Sequence, residues 1–286
     1  MIQDYGKAVQ SIRKHATEYF HRYNLKSIVL GMSGGIDSAL CAALLQPVCD
    51  DLKMKFIGRS YPIHTNKKDE RDRAIQCGKA FCTDFKEIDL GNRYAELEAH
   101  MLAGEYSDKA DDRKNAILRG NRKARLRMIH LYDLAGLNDG LVISTENYTE
   151  MLLGFWTLNG DVGDYSPIQM LWKTEVYKMT EYLAACTKTK SEVDALLSCV
   201  EAIPTDGLGI TNSDLDQIMP NWEKTYKTTR EAYEAVDQIL LSRDSYDITH
   251  PVIKRHITTQ FKRDNPIIIP RHLLSDDLFG FPFYDQ

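Results

Sequence analysis

Ser27-Ile28-Val29-Leu30-Gly31-Met32-Ser33-Gly34-Gly35-Ile36-Asp37-Ser38 is the stretch on which the reading of this chain turns. Ser27 to Leu30 is short, apolar and partly β-branched, which predicts a buried strand. Gly31 to Gly35 interrupts that run, and helical composition resumes from Asp37 to Leu45. The segment therefore reads as strand, tight glycine turn and helix N-terminus. Such a turn aims free backbone N–H groups and the positive end of a helix dipole at one point, a site suited to phosphate. Ser33 and Ser38 add hydroxyls, and Asp37 adds a carboxylate. A carboxylate beside a phosphate repels it unless a divalent cation stands between them, so Asp37 implies magnesium. No lysine follows the glycines, as the Walker loop requires, and the spacing is not Gly-x-Gly-x-x-Gly. A tight turn that uses glycine only for its backbone freedom is the alternative.

The whole chain has 286 residues, enough for one large α/β domain or for a domain with a helical subdomain. With 43% apolar and 27% charged residues, the composition is that of an ordinary globular protein. A net charge of -5 supplies no overall electrostatic footprint for nucleic acid. The six cysteines, Cys41, Cys49, Cys77, Cys82, Cys186 and Cys199, include no Cys-x-x-Cys pair, which argues against zinc or iron–sulfur ligation and for reduced thiols. No signal-peptide pattern and no run long enough to span a membrane is present, so a cytoplasmic protein is expected, with neither a membrane nor a nucleic acid as partner.

Taken in order, Ile2 to Tyr23 has the spacing of an amphipathic helix. The helix after the glycine loop is expected to end near Gln46, just before Pro47. Strands are predicted at Met54 to Tyr61, Phe85 to Leu90 and Leu141 to Thr145, alternating with helices at Asp69 to Phe81 and Tyr94 to Leu102. That alternation specifies a parallel sheet with helices on both faces, whose strand C-termini bind ligands. Arg59, near one such terminus, either flanks a nucleotide base or sits at a solvated strand end. Gly104 to Lys114 has little to bury and reads as a loop. Between Arg113 and Arg127 seven basic residues occur with no acidic one, and a helix is predicted from Lys123 to Ala135. This stretch is either a solvated basic face or an anion site, an RNA surface being disfavoured by its few aromatics. Glu146 to Phe155 reads as a helix holding Glu150, followed by the turn-rich loop Gly160-Asp161-Val162-Gly163-Asp164. Helices are predicted at Trp172 to Ala184 and Ser191 to Val200, and Ser213 to Leu241 and Ile248 to about Lys262 are expected to be mostly helical. The tail from Asp264 reads as extended. One domain over residues 1–286 is expected, with an α/β core to about residue 170 and a mainly helical portion beyond it.

The glycine stretch resembles the pyrophosphate loop of enzymes that split ATP between its α- and β-phosphates. Over about residues 2 to 266 the chain resembles ammonia-dependent NAD synthetases, a family of that superfamily. The motifs occur in order: Leu30-Gly31-x-Ser33-Gly34-Gly35-x-Asp37-Ser38; Asn121-x-Lys123-Ala124-Arg125-x-Arg127-Met128; and Val142-Ile143-x-Thr145, with Glu150 five residues later. Gly154-Phe155, Gly160-Asp161, Lys173, Pro204-Thr205-Asp206 and Lys262-Arg263-x-x-Pro266 complete the series.

The resemblance implies a Rossmann-like α/β fold of the adenine-nucleotide hydrolase type and a C–N bond-forming ligase. The nicotinate carboxylate of deamido-NAD would attack the α-phosphorus of ATP, and ammonia would then attack the acyl-adenylate. By the same resemblance Gly31, Ser33, Gly34, Gly35, Asp37, Ser38, Arg59, Thr145, Lys173 and Thr205 bind ATP, and Asp37 and Glu150 hold magnesium. Arg125, Asp164 and Lys262 contact deamido-NAD. Asp161 is the candidate for taking a proton from ammonium. A homodimer is implied as well, and no room remains for the amidase domain of glutamine-using relatives. The chain departs from the family pattern at Leu158, where a lysine is common, at Val162 in a shortened glycine loop, and at Phe261, where a histidine is usual. All three positions belong to the acid-substrate side. The rival readings are an ATP pyrophosphatase acting on another carboxylate or on tRNA, and a non-catalytic adenine-nucleotide module.

Overall fold

The computed structural model describes residues 1–64, 66–104, 112–203, 213–242, 247–269 and 273. Its sheet is built on β1 (Ser27–Gly31), which pairs in parallel with β2 (Lys55–Ser60) on one side and β4 (Gly140–Val142) on the other. β3 (Asp84–Glu87) adds to β2, giving the order β3-β2-β1-β4. The period of two along β1 divides the core. Ile28 and Leu30 pack in one cluster with Phe20, Leu40 and Leu44, while Val29 packs with Ile57, Met128 and Leu131 in another. The first cluster lies under α1 (Tyr5–Arg22) and α2 (Ile36–Leu52), the second under α5 (Asp112–Leu137). Helices on both faces of a parallel sheet are the expected α/β architecture.

The chain is completed by α3 (Lys68–Phe81), α4 (Gly91–Gly104), α6 (Tyr148–Leu153), α7 (Lys173–Cys186) and α8 (Lys190–Val200). Beyond these come α9 (Leu215–Ile218), a 3-10 turn at Trp222–Lys224, α10 (Thr229–Leu241), α11 (Pro251–Thr258) and α12 (Gln260–Arg263). The C-terminal helices bury a smaller core of their own, in which Leu153 and Trp172 meet Ile218, Trp222, Tyr233, Val236 and Val252.

Several boundaries differ from expectation. α2 does not stop before Pro47 but runs through it to Leu52. Proline has no N–H to offer the carbonyl four residues back, and here Arg13 of α1 takes that role, its Nη2 donating to Ala43 O at 3.0 Å and its Nε to Leu44 O at 3.1 Å. α5 begins at Asp112, not Lys123, so the end of the expected loop is helical. Its early turns are held by charge and not by an apolar stripe: Arg119 and Arg122 meet Glu98 of α4 at 3.2 and 3.6 Å. β3 is shifted toward Asp84. The stretch expected to be mostly helical from Ile248 to about Lys262 consists of α11 and α12 with Thr259 between them.

Candidate active site

At the C-terminal edge of the sheet lies a cavity of about 690 Å³. Gly31, Ser33, Gly34, Gly35 and Asp37 line it, as do Thr145, Glu146, Glu150, Asp161 and Lys173. Gly34 has φ +80°, and a Cβ there would lie 2.1 Å from Glu70 O, so both conformation and space demand glycine. Gly35 is the N-cap of α2 and donates to Ser33 Oγ at 3.2 Å. Ser38 was expected to face phosphate. Its hydroxyl instead donates to Gly35 O at 3.0 Å and lies 3.1 Å from Ser33 Oγ, stiffening the turn from within.

Lys173 occupies the gap between the two acids predicted to hold metal. Only 2% exposed, it donates to Asp37 Oδ2 at 2.5 Å and to Glu150 Oε1 at 3.0 Å. Burial pulls its ammonium down, but the charges of Asp37 and Glu150 outweigh burial and hold it well above the usual lysine value. Burial, and then the charge of Asp37, push Glu150 up to about 7. Asn147 completes the unit, donating from Nδ2 to Asp37 Oδ1 at 2.8 Å and exchanging capping bonds with Glu150 at the start of α6. Among the described residues no cluster of three metal-ligating side chains exists. Two hard carboxylates facing a phosphate loop nevertheless fit magnesium, which takes one or two carboxylates and completes its shell with substrate phosphates and water.

Also lining the cavity, Asp161 accepts from Thr157 N at 2.8 Å, and burial raises it to about 7. Glu146, which sequence reasoning passed over, is buried beside it, accepts from the Ser144 hydroxyl and stands at about 8, through burial and then the charge of Asp161. An acid directly after a strand on the ligand-binding edge was the signal available. Arg127 was missed as well. It lines the cavity, donates to Tyr61 O and Asn66 Oδ1 at 3.0 Å each, and is lowered to about 10 by burial.

The residues expected on the acid-substrate side are only partly together. Arg125, Leu158, Phe261 and Lys262 all line the cavity. Arg125 donates to Leu158 O at 3.1 and 3.2 Å. Lys262 donates to Gly154 O at 2.7 Å and to Trp156 O, and is lowered to about 8 by burial and by Arg255. Phe261 is 54% exposed at the rim. Asp164 lies elsewhere: it accepts from Val142 N and from Tyr132 Oη at 2.9 Å each, pinning the β4 edge. Arg59 is neither solvated nor free to flank a base. Although it borders the cavity, its guanidinium bonds to both carboxylate oxygens of Asp84 at 3.1 Å and to the Gly58 and Asp84 carbonyls. Thr205, with the rest of its motif, lies outside the described residues.

The family model for NAD synthase matches residues 8–266. The chain belongs to the NAD synthase family. An NH(3)-dependent NAD(+) synthetase from Finegoldia magna is 32% identical over 225 residues, which cover 78% of this chain and 87% of that protein. Its counterpart from Thermococcus sibiricus is 31% identical over 217 residues, covering 76% of this chain and 80% of that protein. Among solved structures, an NH3-dependent NAD synthetase from Campylobacter jejuni in complex with nitrate superimposes with TM-score 0.65 at 25% identity, covering 94% of this chain and 100% of that one. An NMN synthetase from Francisella tularensis gives TM-score 0.73 at 21% identity over 94% and 99% of the two chains, a likeness of fold. Of the motif residues that are described, Gly31, Ser33, Gly34, Gly35, Asp37, Arg125, Thr145, Glu150, Asp161, Lys173 and Lys262 line this one cavity.

Proposed function

We propose that this chain is an ammonia-dependent NAD synthetase, adenylating the nicotinate carboxylate of deamido-NAD with ATP and transferring the acyl group to ammonia. Products are NAD, AMP and pyrophosphate. The observation that carries this reading is the Asp37–Lys173–Glu150 cluster set against the glycine turn at the head of α2. The Gly34 backbone N–H and the Ser33 hydroxyl, with the Gly35 N–H once it leaves Ser33 Oγ, cradle the departing pyrophosphate. Lys173 neutralises charge that builds on the phosphate oxygens. Asp37 and Glu150 would hold magnesium, which supplies Lewis acidity at those oxygens when bound. Across the cavity Arg125 and Lys262 attract and orient the acid substrate, with Leu158 and Phe261 giving an apolar flank where relatives carry cations. Asp161, poised near neutrality, accepts a proton from ammonium, because only the neutral amine attacks a carbonyl.

The remaining elements of the proposal are a single synthetase domain over residues 1–286, a homodimer and a cytoplasmic location. The dimer is supported by the exposed apolar side of α5, where Ile129, Tyr132 and Leu137 face outward. Pyrophosphate exchange tests the chemistry: labelled pyrophosphate should enter ATP when deamido-NAD is present and ammonium absent. Nicotinate mononucleotide belongs beside deamido-NAD in that assay, since exchange with mononucleotide alone would keep the adenylation step and replace the substrate. ADP and phosphate as products would overturn the whole reading.

A further inference from the structure

Behind the phosphate loop, Cys77 on α3 and Cys199 on α8 face each other with their Sγ atoms 3.6 Å apart. Neither has a part in the chemistry above. Cys77 is fully buried, whereas Cys199, 1% exposed, forms part of the cavity wall. Each thiol already has a carbonyl acceptor: Cys77 Sγ donates to Ala195 O at 3.5 Å and Cys199 Sγ to Gly34 O at 3.6 Å. The contact between sulfurs is therefore not required to satisfy either group. Gly34 O also accepts from Arg73 Nε at 3.0 Å, so one peptide group ties the cysteine pair to the left-handed residue of the loop.

We propose that Cys77 and Cys199 form an oxidation site, in which a hydroperoxide entering by the nucleotide cavity converts the dithiol to a disulfide and draws Cys199 away from Gly34. The two thiols are unequal. Cys199 borders the cavity by which the oxidant enters, while Cys77 lies wholly behind it. Cys199 is therefore the sulfur that attacks the peroxide as its thiolate, breaking the O–O bond, forming a sulfenic acid and releasing an alcohol, or water when the oxidant is hydrogen peroxide. Cys77 then attacks the sulfenic sulfur, giving up its proton as water leaves. In sum the thiols lose two electrons and two protons, which the peroxide takes up.

A disulfide holds its sulfurs about 2.05 Å apart, so a pair starting at 3.6 Å must close by roughly 1.5 Å. With α3 and α8 packed side by side, part of that closure falls on Cys199 and so on its contact with Gly34. A displacement of about 1 Å at a site that positions substrate costs up to ~10²-fold in rate.

The test uses the reduced full chain, exposed to hydrogen peroxide with and without ATP and magnesium. Free thiols are capped with iodoacetamide and the digest is analysed without reduction. A peptide linking Cys77 to Cys199 is expected, forming more slowly when ATP fills the cavity. This readout is independent of the acid substrate, so its failure is separable from failure of the synthetase reading. ATP–pyrophosphate exchange should fall by about tenfold to a hundredfold and recover with dithiothreitol. Cys77→Ala should exchange normally when reduced and resist peroxide. If that variant does not fold, Cys77→Ser and the recovery of wild type on reduction make the same test. Absence of the linked peptide at doses that oxidise the exposed Cys186 would overturn the proposal. So would linkage that ATP does not slow, linkage without loss of exchange, or equal inactivation of the Cys77 variant.

Discussion

Asp237 lies fully buried on α10, away from the cavity, yet it joins the two helices that carry Glu150 and Lys173. Its carboxylate accepts from Thr149 Oγ1 at 2.6 Å, from Thr174 N at 3.0 Å and from the Thr174 hydroxyl. Thr149 precedes Glu150 on α6, and Thr174 follows Lys173 on α7; Lys173 N itself donates to Thr149 Oγ1 at 2.9 Å. Asp237→Ala removes all of these acceptors at once. The Thr174 N–H cannot turn away, and leaving it buried and unpaired costs about 1–3 kcal/mol. The two hydroxyls can rotate toward other acceptors, so each contributes only about 0.5–1.5 kcal/mol. The expected loss is thus roughly 3–4 kcal/mol, large against the usual stability of a folded domain. Asp237→Asn keeps one acceptor oxygen and removes a buried negative charge, so its loss should be nearer 1–2 kcal/mol. Urea unfolding followed by fluorescence of Trp156, Trp172 and Trp222 measures both. Pyrophosphate exchange on the folded alanine variant should also fall, by about tenfold, because Glu150 and Lys173 lose their common anchor. An alanine variant within about 1 kcal/mol of wild type, or an asparagine variant worse than alanine, would refute the argument.

Three further outcomes follow from the site. Asp37→Asn keeps the shape of the cluster but removes a charge, and pyrophosphate release should drop by at least about a hundredfold while far-UV circular dichroism stays unchanged. Wild-type turnover at ordinary magnesium would sink the role given to Asp37. Gly34→Ala places a Cβ 2.1 Å from Glu70 O at a positive φ, so calorimetry should show a lower Tm and ATP titration a weaker affinity; unaltered ATP binding would contradict the cradle. Glu146 at about 8 and Asp161 at about 7 stay protonated in the folded chain where the unfolded chain has already ionised. Their contribution to stability is therefore greatest in acid and is lost as pH rises from about 4 toward 8. Glu146→Gln should flatten that part of the stability–pH curve, and an unchanged slope would show that Glu146 does not hold its proton.

Much of this was readable from local pattern. The strand–turn–helix at residues 27–38, the alternation of strands and helices, and the order of the motifs all depend on short-range chemistry that a sequence displays. What escaped depends on partners distant along the chain. Pro47 looked like a helix end because nothing near it reveals that Arg13 will satisfy the stranded carbonyl. The helix was expected to start only at Lys123 because the contacts of Arg119 and Arg122 with Glu98 on α4 lie outside any local pattern. Asp164 was expected beside the acid substrate, yet folding turns it onto Val142 and Tyr132. Lys173 was recognised, but its position between Asp37 and Glu150 is a three-dimensional fact, set by α6 and α7 meeting the phosphate loop. Glu146 was hidden because burial, which makes it chemically distinctive, cannot be seen in the letter E.

The Arg13 bonds to α2 carry a consequence for handling the protein. A proline a dozen residues into a helix leaves the carbonyl one turn back without its donor. In α2 the replacement donor comes from α1, which also buries Phe20 and Ala16 against the sheet. Deleting α1 would thus be felt first not at the N-terminus but at the nucleotide site, as a tilt of α2 that weakens ATP binding before the domain unfolds. A peptide spanning Tyr5–Arg22, added back to such a truncated chain, would be expected to restore nucleotide affinity, and Arg13→Leu in that peptide to restore it only in part.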